Sequence, residues 1–202
     1  MNIEWAMTDM SFLKTITIST VVLTSLITLS ACRHIPSYSS DYSNAEQKMT
    51  GITLDDAQAL AIGNRFVSTF HSLGTAEFIH KADQLYADQL YINDTLSQFS
   101  DKKTLLQHFE GMNKRVTHVT VKLISATHHQ DSAYIHWSMA YDFKMLGRTK
   151  SMKSYGISEI KVNPQNQIIF QQDFWDPANG LFRALPVFGG AYGWILPFKK
   201  SN

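Results

Sequence analysis

Asp173 and Trp175 stand two residues apart in Gln171-Gln172-Asp173-Phe174-Trp175-Asp176. On a strand that spacing puts both side chains on one face. A carboxylate on a face that turns into an apolar interior is pushed towards its neutral form, and a carboxyl poised near neutral pH can both give and take a proton. Asp94, in Asn93-Asp94-Thr95, supplies a second carboxylate. Where two carboxylates share a pocket, each raises the pKa of the other. The other polar candidates carry less. His136 alternates in register with Tyr134, Ser138 and Ala140 and either lines a pocket or packs in a sheet. His128-His129 sits in a turn without a third ligand at a supporting spacing, so no metal is expected. The sequence has no phosphate-cradling glycine loop, nucleophile elbow or nucleotide fingerprint, and no cofactor is expected.

The composition bounds what these residues can serve. The chain has 202 residues, 44% hydrophobic and 17% charged, with a net charge of +1. This is the balance of one globular domain with a tail, and it lacks the basic surplus of a dedicated nucleic-acid binder. A single cysteine excludes an internal disulfide framework and a cysteine-cluster zinc site.

That cysteine has its own chemistry. Residues 15–31 carry no charge, follow Lys14, and end in Leu29-Ser30-Ala31 before Cys32. The run has the length of a secretory core and is short for a membrane span. Leu29-Ser30-Ala31-Cys32 resembles the lipobox of bacterial lipoproteins. That resemblance implies cleavage before Cys32, lipidation of its thiol, and membrane attachment in the bacterial cell envelope. Arg33 in place of an aspartate favours the outer membrane, facing the periplasm. Residues 1–31 are therefore expected to be a signal peptide. Glu4 and Asp9 are out of place in its leader, and Met10 opens a normal basic one, so residues 1–9 read as a start-site extension. Residues 32–51, polar and rich in Ser, Asn and Tyr, are expected to be a flexible tether.

The elements that must position the candidates follow from periodicity. Thr53 to about Leu73 keeps helical spacing, with Thr53 as the expected cap and Gly74 as the stop. A shorter helix is expected over 75–86, a short strand at Leu90–Ile92, and a third helix from Asp101 to about Lys114. The period then changes to two over 116–126, 132–145, 148–162 and 167–175, with turns between. Helices followed by strands mean an α+β domain, here 52–180, with a bent sheet wrapped on a helix layer to make a pocketed cone. Residues 181–202 form an extension holding Phe182, Phe188, Tyr192, Trp194 and Phe198 before Lys199-Lys200. It caps the cone, makes a homodimer contact, or lies on the membrane with its lysines at the headgroups.

The chain resembles the nuclear transport factor 2-like superfamily, in its SnoaL-like and ketosteroid-isomerase-like branch. The likeness rests on Leu85-Tyr86-Ala87-Asp88 leading into Tyr91-Ile92-Asn93-Asp94, on Phe109, on Ile157–Val162 with Gln167-Ile168-Ile169, on Gln171–Asp176, and on Leu181-Phe182 with Leu185–Gly190. It covers about residues 60–195 and implies a cone-shaped fold with N-terminal helices on a curved, mainly antiparallel sheet. It makes Asp94 the counterpart of the isomerase base and Asp173 the counterpart of the cyclase acid–base. The isomerase oxyanion donors fall at Phe66, which has none, and at Ser158, so ketosteroid isomerisation is not expected. The implied pocket holds Phe66, Tyr91, Phe109, His136, Ser158 and Trp175. The function expected is binding of a small apolar molecule. An enzyme moving protons through Asp94 or Asp173, or a non-catalytic interaction module, are the rivals.

Overall fold

The structure, a computed structural model, describes residues 38–145 and 147–182. Cys32, the leader and most of the aromatic extension lie outside the described residues. The elements are α1 (Tyr38–Lys48), α2 (Asp56–His71), α3 (Phe78–Leu85), β1 (Tyr86–Asn93), β2 (Gln98–Asp101), α4 (Lys102–Asn113), β3 (Val116–His129), β4 (Ser132–Met145), β5 (Arg148–Val162), β6 (Ile168–Trp175) and the short α5 (Pro177–Gly180). The chain divides into compact units at Asp41–Tyr42, inside α1, and the unit that carries the site begins at Tyr42. Among the described residues no helix is long and apolar enough to cross a membrane.

Local chemistry sets the helix ends. Asp55, and not Thr53, caps α2: its side chain accepts from the Gln58 amide at 2.7 Å while the Gln58 side chain accepts from the Asp55 amide at 2.9 Å. A capping box satisfies two end amides at once, which outweighs a threonine two residues earlier. Ala59, Ile62, Gly63, Phe66 and Thr69 make the buried stripe of α2. Asp101 caps α4, which buries Leu105 and Phe109. Between the helices, Phe70 meets Phe66 at 4.8 Å and Phe109 at 5.7 Å, and Phe78 meets Phe109 at 5.5 Å. Each such pair adds about 0.5–1.5 kcal/mol beyond the area it buries.

Two departures from the sequence reading stand out. Residues 38–48, expected within the tether, are helical. Asp41 in the first turn and Lys48 in the last suit the helix dipole, and Tyr42 and Glu46 bond to the sheet through Glu159 and Lys161. The strand β2 was not expected at all; its four residues are too few to show a period.

The six strands form one sheet in the order β2-β1-β6-β5-β4-β3, parallel only between β1 and β6. Register shifts in β3, between Thr117 and Thr120 and between Leu123 and Ser125, mark bulges. Bulges bend a strand, and here they help curl the long β3–β4–β5 ribbon around α2 and α4. The result is the expected α+β cone.

One glycine is required by the packing inside it. Gly156 on β5 faces Trp137 on β4 and Trp175 on β6 across the ladders. A Cβ there would meet Trp137 Cη2 at 2.7 Å and Trp175 Cβ at 2.9 Å. Overpacking of this kind costs about 1–3 kcal/mol. Gly156→Ala is expected to lower the unfolding free energy by that amount in urea melts and to shift the tryptophan emission spectrum; an unchanged spectrum and midpoint would show that the two indoles are not packed on this glycine.

A buried carboxyl in an apolar cone

The concave face of the sheet and helices α2 and α4 enclose a cavity of about 580 Å³. Its walls are chiefly apolar: Phe66, Phe70, Phe109, Trp137, Met139 and Tyr141 contribute. Strand alternation selects which side chains reach it. On β6 Gln171, Asp173 and Trp175 line the cavity, while Phe174 stays exposed on the other face.

Asp173 sits on this floor at 9% exposure. Ser158 Oγ donates to its Oδ1 at 2.6 Å and Gln171 Nε2 donates to the same oxygen at 2.9 Å. Both donors are themselves held. Trp137 Nε1 donates to Ser158 Oγ at 2.9 Å, and the buried Tyr86 hydroxyl donates to Gln171 Oε1 at 2.7 Å. Two hydrogen-bond chains thus converge on one oxygen. Burial is the largest influence on the acidity of Asp173 and raises its pKa. The bonds from Ser158 and Gln171 oppose the rise and the charge of Asp94 adds to it, and the balance stands at about 7. Burial, with the charges of Asp173 and Asp94, also pushes the Tyr86 phenol well above its ordinary range, which keeps it a donor.

Asp94 lies beyond the end of β1, at the same cavity. Its Oδ1 accepts from the Leu96 and Ser97 amides at 2.9 and 2.6 Å, and its Oδ2 is 3.4 Å from His108 Nε2 on α4. The turn is clamped to β6: Thr95 Oγ1 donates to the Asp173 carbonyl at 2.7 Å, and Trp175 Nε1 donates to the Asp94 carbonyl at 2.9 Å. Thr95 takes φ 78°, a left-handed backbone that a β-branched residue rarely adopts.

The sequence-derived candidates divide as follows. Asp94, Asp173, Phe66, Phe109 and Trp175 all line the cavity. Ser158 does not; it is wholly buried behind Asp173, its hydroxyl engaged by Trp137 and Asp173. With Phe66 bare of donors, the two isomerase oxyanion positions offer no donor pair to the cavity. Tyr91 turns to the opposite face and stacks on Phe170 at 5.5 Å. His136 points away too, because its neighbour Trp137 takes the inward position and His136 pairs beside Ile157, itself exposed. His108 and Gln171, neither singled out from the sequence, belong to the site. The QQD run shows that Gln171 shares the face of Asp173, but nothing in the spacing of α4 brings His108 to Asp94. Among the described residues no cluster of three His, Cys, Asp or Glu side chains suits a metal ion.

No protein-family model and no curated protein matches the chain. Solved structures do match. An epoxide hydrolase from M. tuberculosis, of the LEH-like type, superposes with a TM-score of 0.52 at 15% identity, over 71% of this chain and 98% of its own. AclR from Streptomyces galilaeus, described as a candidate hydroxylase, gives 0.53 at 11%, over 69% and 93%. A candidate SnoaL-like polyketide cyclase from Jannaschia gives 0.50 at 9%, over 60% and 87%. The fold is therefore the SnoaL-like, nuclear transport factor 2-like fold. Identities this low carry the fold and not the activity.

The raised pKa has a consequence for stability. Asp173 holds its proton more tightly folded than unfolded, so its contribution is fully present below about pH 4 and is lost as pH rises to about 7. The loss is at most about 4 kcal/mol for a shift of this size. Asp173→Asn keeps an oxygen for both donors and carries no charge. Urea melts are expected to show wild type losing stability relative to this variant between pH 5 and pH 8; parallel curves would place the Asp173 pKa near that of an ordinary carboxyl.

Proposed function

We propose that the cone binds a small apolar molecule and that Asp173 moves a proton on it as general acid or base. One observation carries this reading: a carboxyl with a pKa near 7 stands on the floor of an apolar cavity with one oxygen fixed by two donors. A catalytic acid–base works best with its pKa near the working pH, and such a group contributes about 10²–10⁴-fold to a rate. The fixed oxygen orients the group, and Oδ2 meets the substrate. Asp94 and its partner His108 supply a second polar corner in the same cavity. The structures that share the fold include an epoxide hydrolase and a candidate polyketide cyclase, which supports a small organic substrate for this cone. The lipobox-like Leu29–Cys32 supports attachment to the bacterial envelope through lipid on Cys32.

A binder without turnover is the second reading. It is favoured by the way Tyr86, Gln171, Ser158 and Trp137 tie Asp173 into the protein interior, as they would a structural acid. Native mass spectrometry of the protein purified from its own host separates the two. A small molecule of apolar composition is expected to travel with the protein. Wild type is expected to convert it, and Asp173→Asn to bind it with turnover reduced by about 10²-fold or more. Binding with no conversion by wild type would leave the binder. Conversion undiminished in the variant would remove Asp173 from the chemistry.

A further inference from the structure

The two ends of the cavity differ in charge. Its carboxylates, Asp94 and Asp173, stand at β1 and β6. The β4–β5 ribbon runs on past the end of β6, because β6 pairs with β5 only from Gly156 onward. Along that extension the chain carries Lys144, Arg148, Lys150 and Lys153 and has no carboxylate from Phe143 to Ile157. Phe143 lines the cavity, and Lys150 is its direct partner across the ladder, so Lys150 stands on the same concave face. Arg115 lines the cavity as well, on a turn whose carbonyl accepts from the Lys144 amide at 3.2 Å. Among the described residues no carboxylate pairs with Arg115, Arg148 or Lys150. Cations beside an apolar opening, with no internal partner, are what an anion with an apolar body requires.

We propose that the cavity takes an acidic amphiphile, whose carboxylate, phosphate or sulfonate is held at the rim by Arg115 and Lys150 and whose apolar body reaches inward past Tyr141 and Met139 towards Asp173. This rests on the cavity being a ligand site and adds the ligand's charge and orientation. Lys150 and Ser158, which bonds Asp173, stand eight positions apart on β5. That is a path of roughly 26 Å along an extended strand, and less across a bent one. The ligand is therefore elongated, with its anion at one end and the function that meets Asp173 at or near the other. An anionic end at the rim also stays away from Asp94 and Asp173, whose charges would repel it.

The test uses the full chain, the neutral dye N-phenyl-1-naphthylamine, and two competitors with the same ten-carbon body, decanoate and 1-decanol. The dye is expected to bind and brighten, reporting the cavity. Decanoate is expected to displace it at about five-fold lower concentration than decanol, the scale of a partly exposed charge pair, and the advantage should shrink in high salt. Arg115→Gln with Lys150→Gln is expected to remove the advantage while dye and decanol binding persist. Equal or stronger displacement by decanol in wild type, or an advantage unchanged in the double variant, would overturn the anion site and leave the cavity standing. A dye that does not bind would overturn the cavity reading along with it.

Discussion

The site depends on keeping one carboxyl out of water. An ionised carboxylate in an apolar enclosure is costly, and a protein meets that cost by pairing it, protonating it, or supplying donors. Among the described residues no cation pairs with Asp173. Two neutral donors meet one of its oxygens, and burial leaves it near half-protonated at neutral pH. Each part of the fold around it contributes to that state. The helices α2 and α4 close the cone with phenylalanines. Gly156 lets Trp137 and Trp175 pack close, Trp137 holds Ser158, and Trp175 holds the turn carrying Asp94.

The reverse side of the same strands is braced by charge. Glu159, at 3% exposure, accepts from Tyr42, Ser132 and Tyr134 at 2.8, 3.0 and 3.2 Å. Lys161, at 4%, donates to the Glu46 carbonyl and carboxylate at 2.9 and 3.0 Å and lies 3.4 Å from Asp131. A buried charge left without its partners is costly, so this cluster ties the helical residues from Tyr42 to β5. Because strand residues alternate, Ser158 and Glu159 put the Asp173 network and the bracing network one residue apart on opposite faces.

Much of this is legible in the sequence, and what is not has a physical reason. The switch from helical to alternating period places the helices and the four long strands, and the spacing of Asp173 and Trp175 gives their common face. The inward face of β4 is harder to choose: Tyr134-His136-Ser138 and Ile135-Trp137-Met139 both alternate, and only the bulky Trp137 and its glycine partner decide it. The helix at 38–48 is nearly all polar, so periodicity cannot find it; buried Glu159 and Lys161, far along the chain, hold it. His108 escapes for the same reason, since its partner Asp94 is brought to it by the sheet. The leader and lipobox are legible only as sequence, because Cys32 lies outside the described residues.

The most direct measurement is the titration of the Asp173 carboxyl carbon by carbon-13 NMR, with the resonance assigned by its loss in Asp173→Asn. A midpoint near pH 7 is expected, moving when Ser158 or Gln171 loses its donor. A midpoint near 4 would contradict the account, because a carboxyl ionised throughout the neutral range is neither buried as described nor poised to pass a proton.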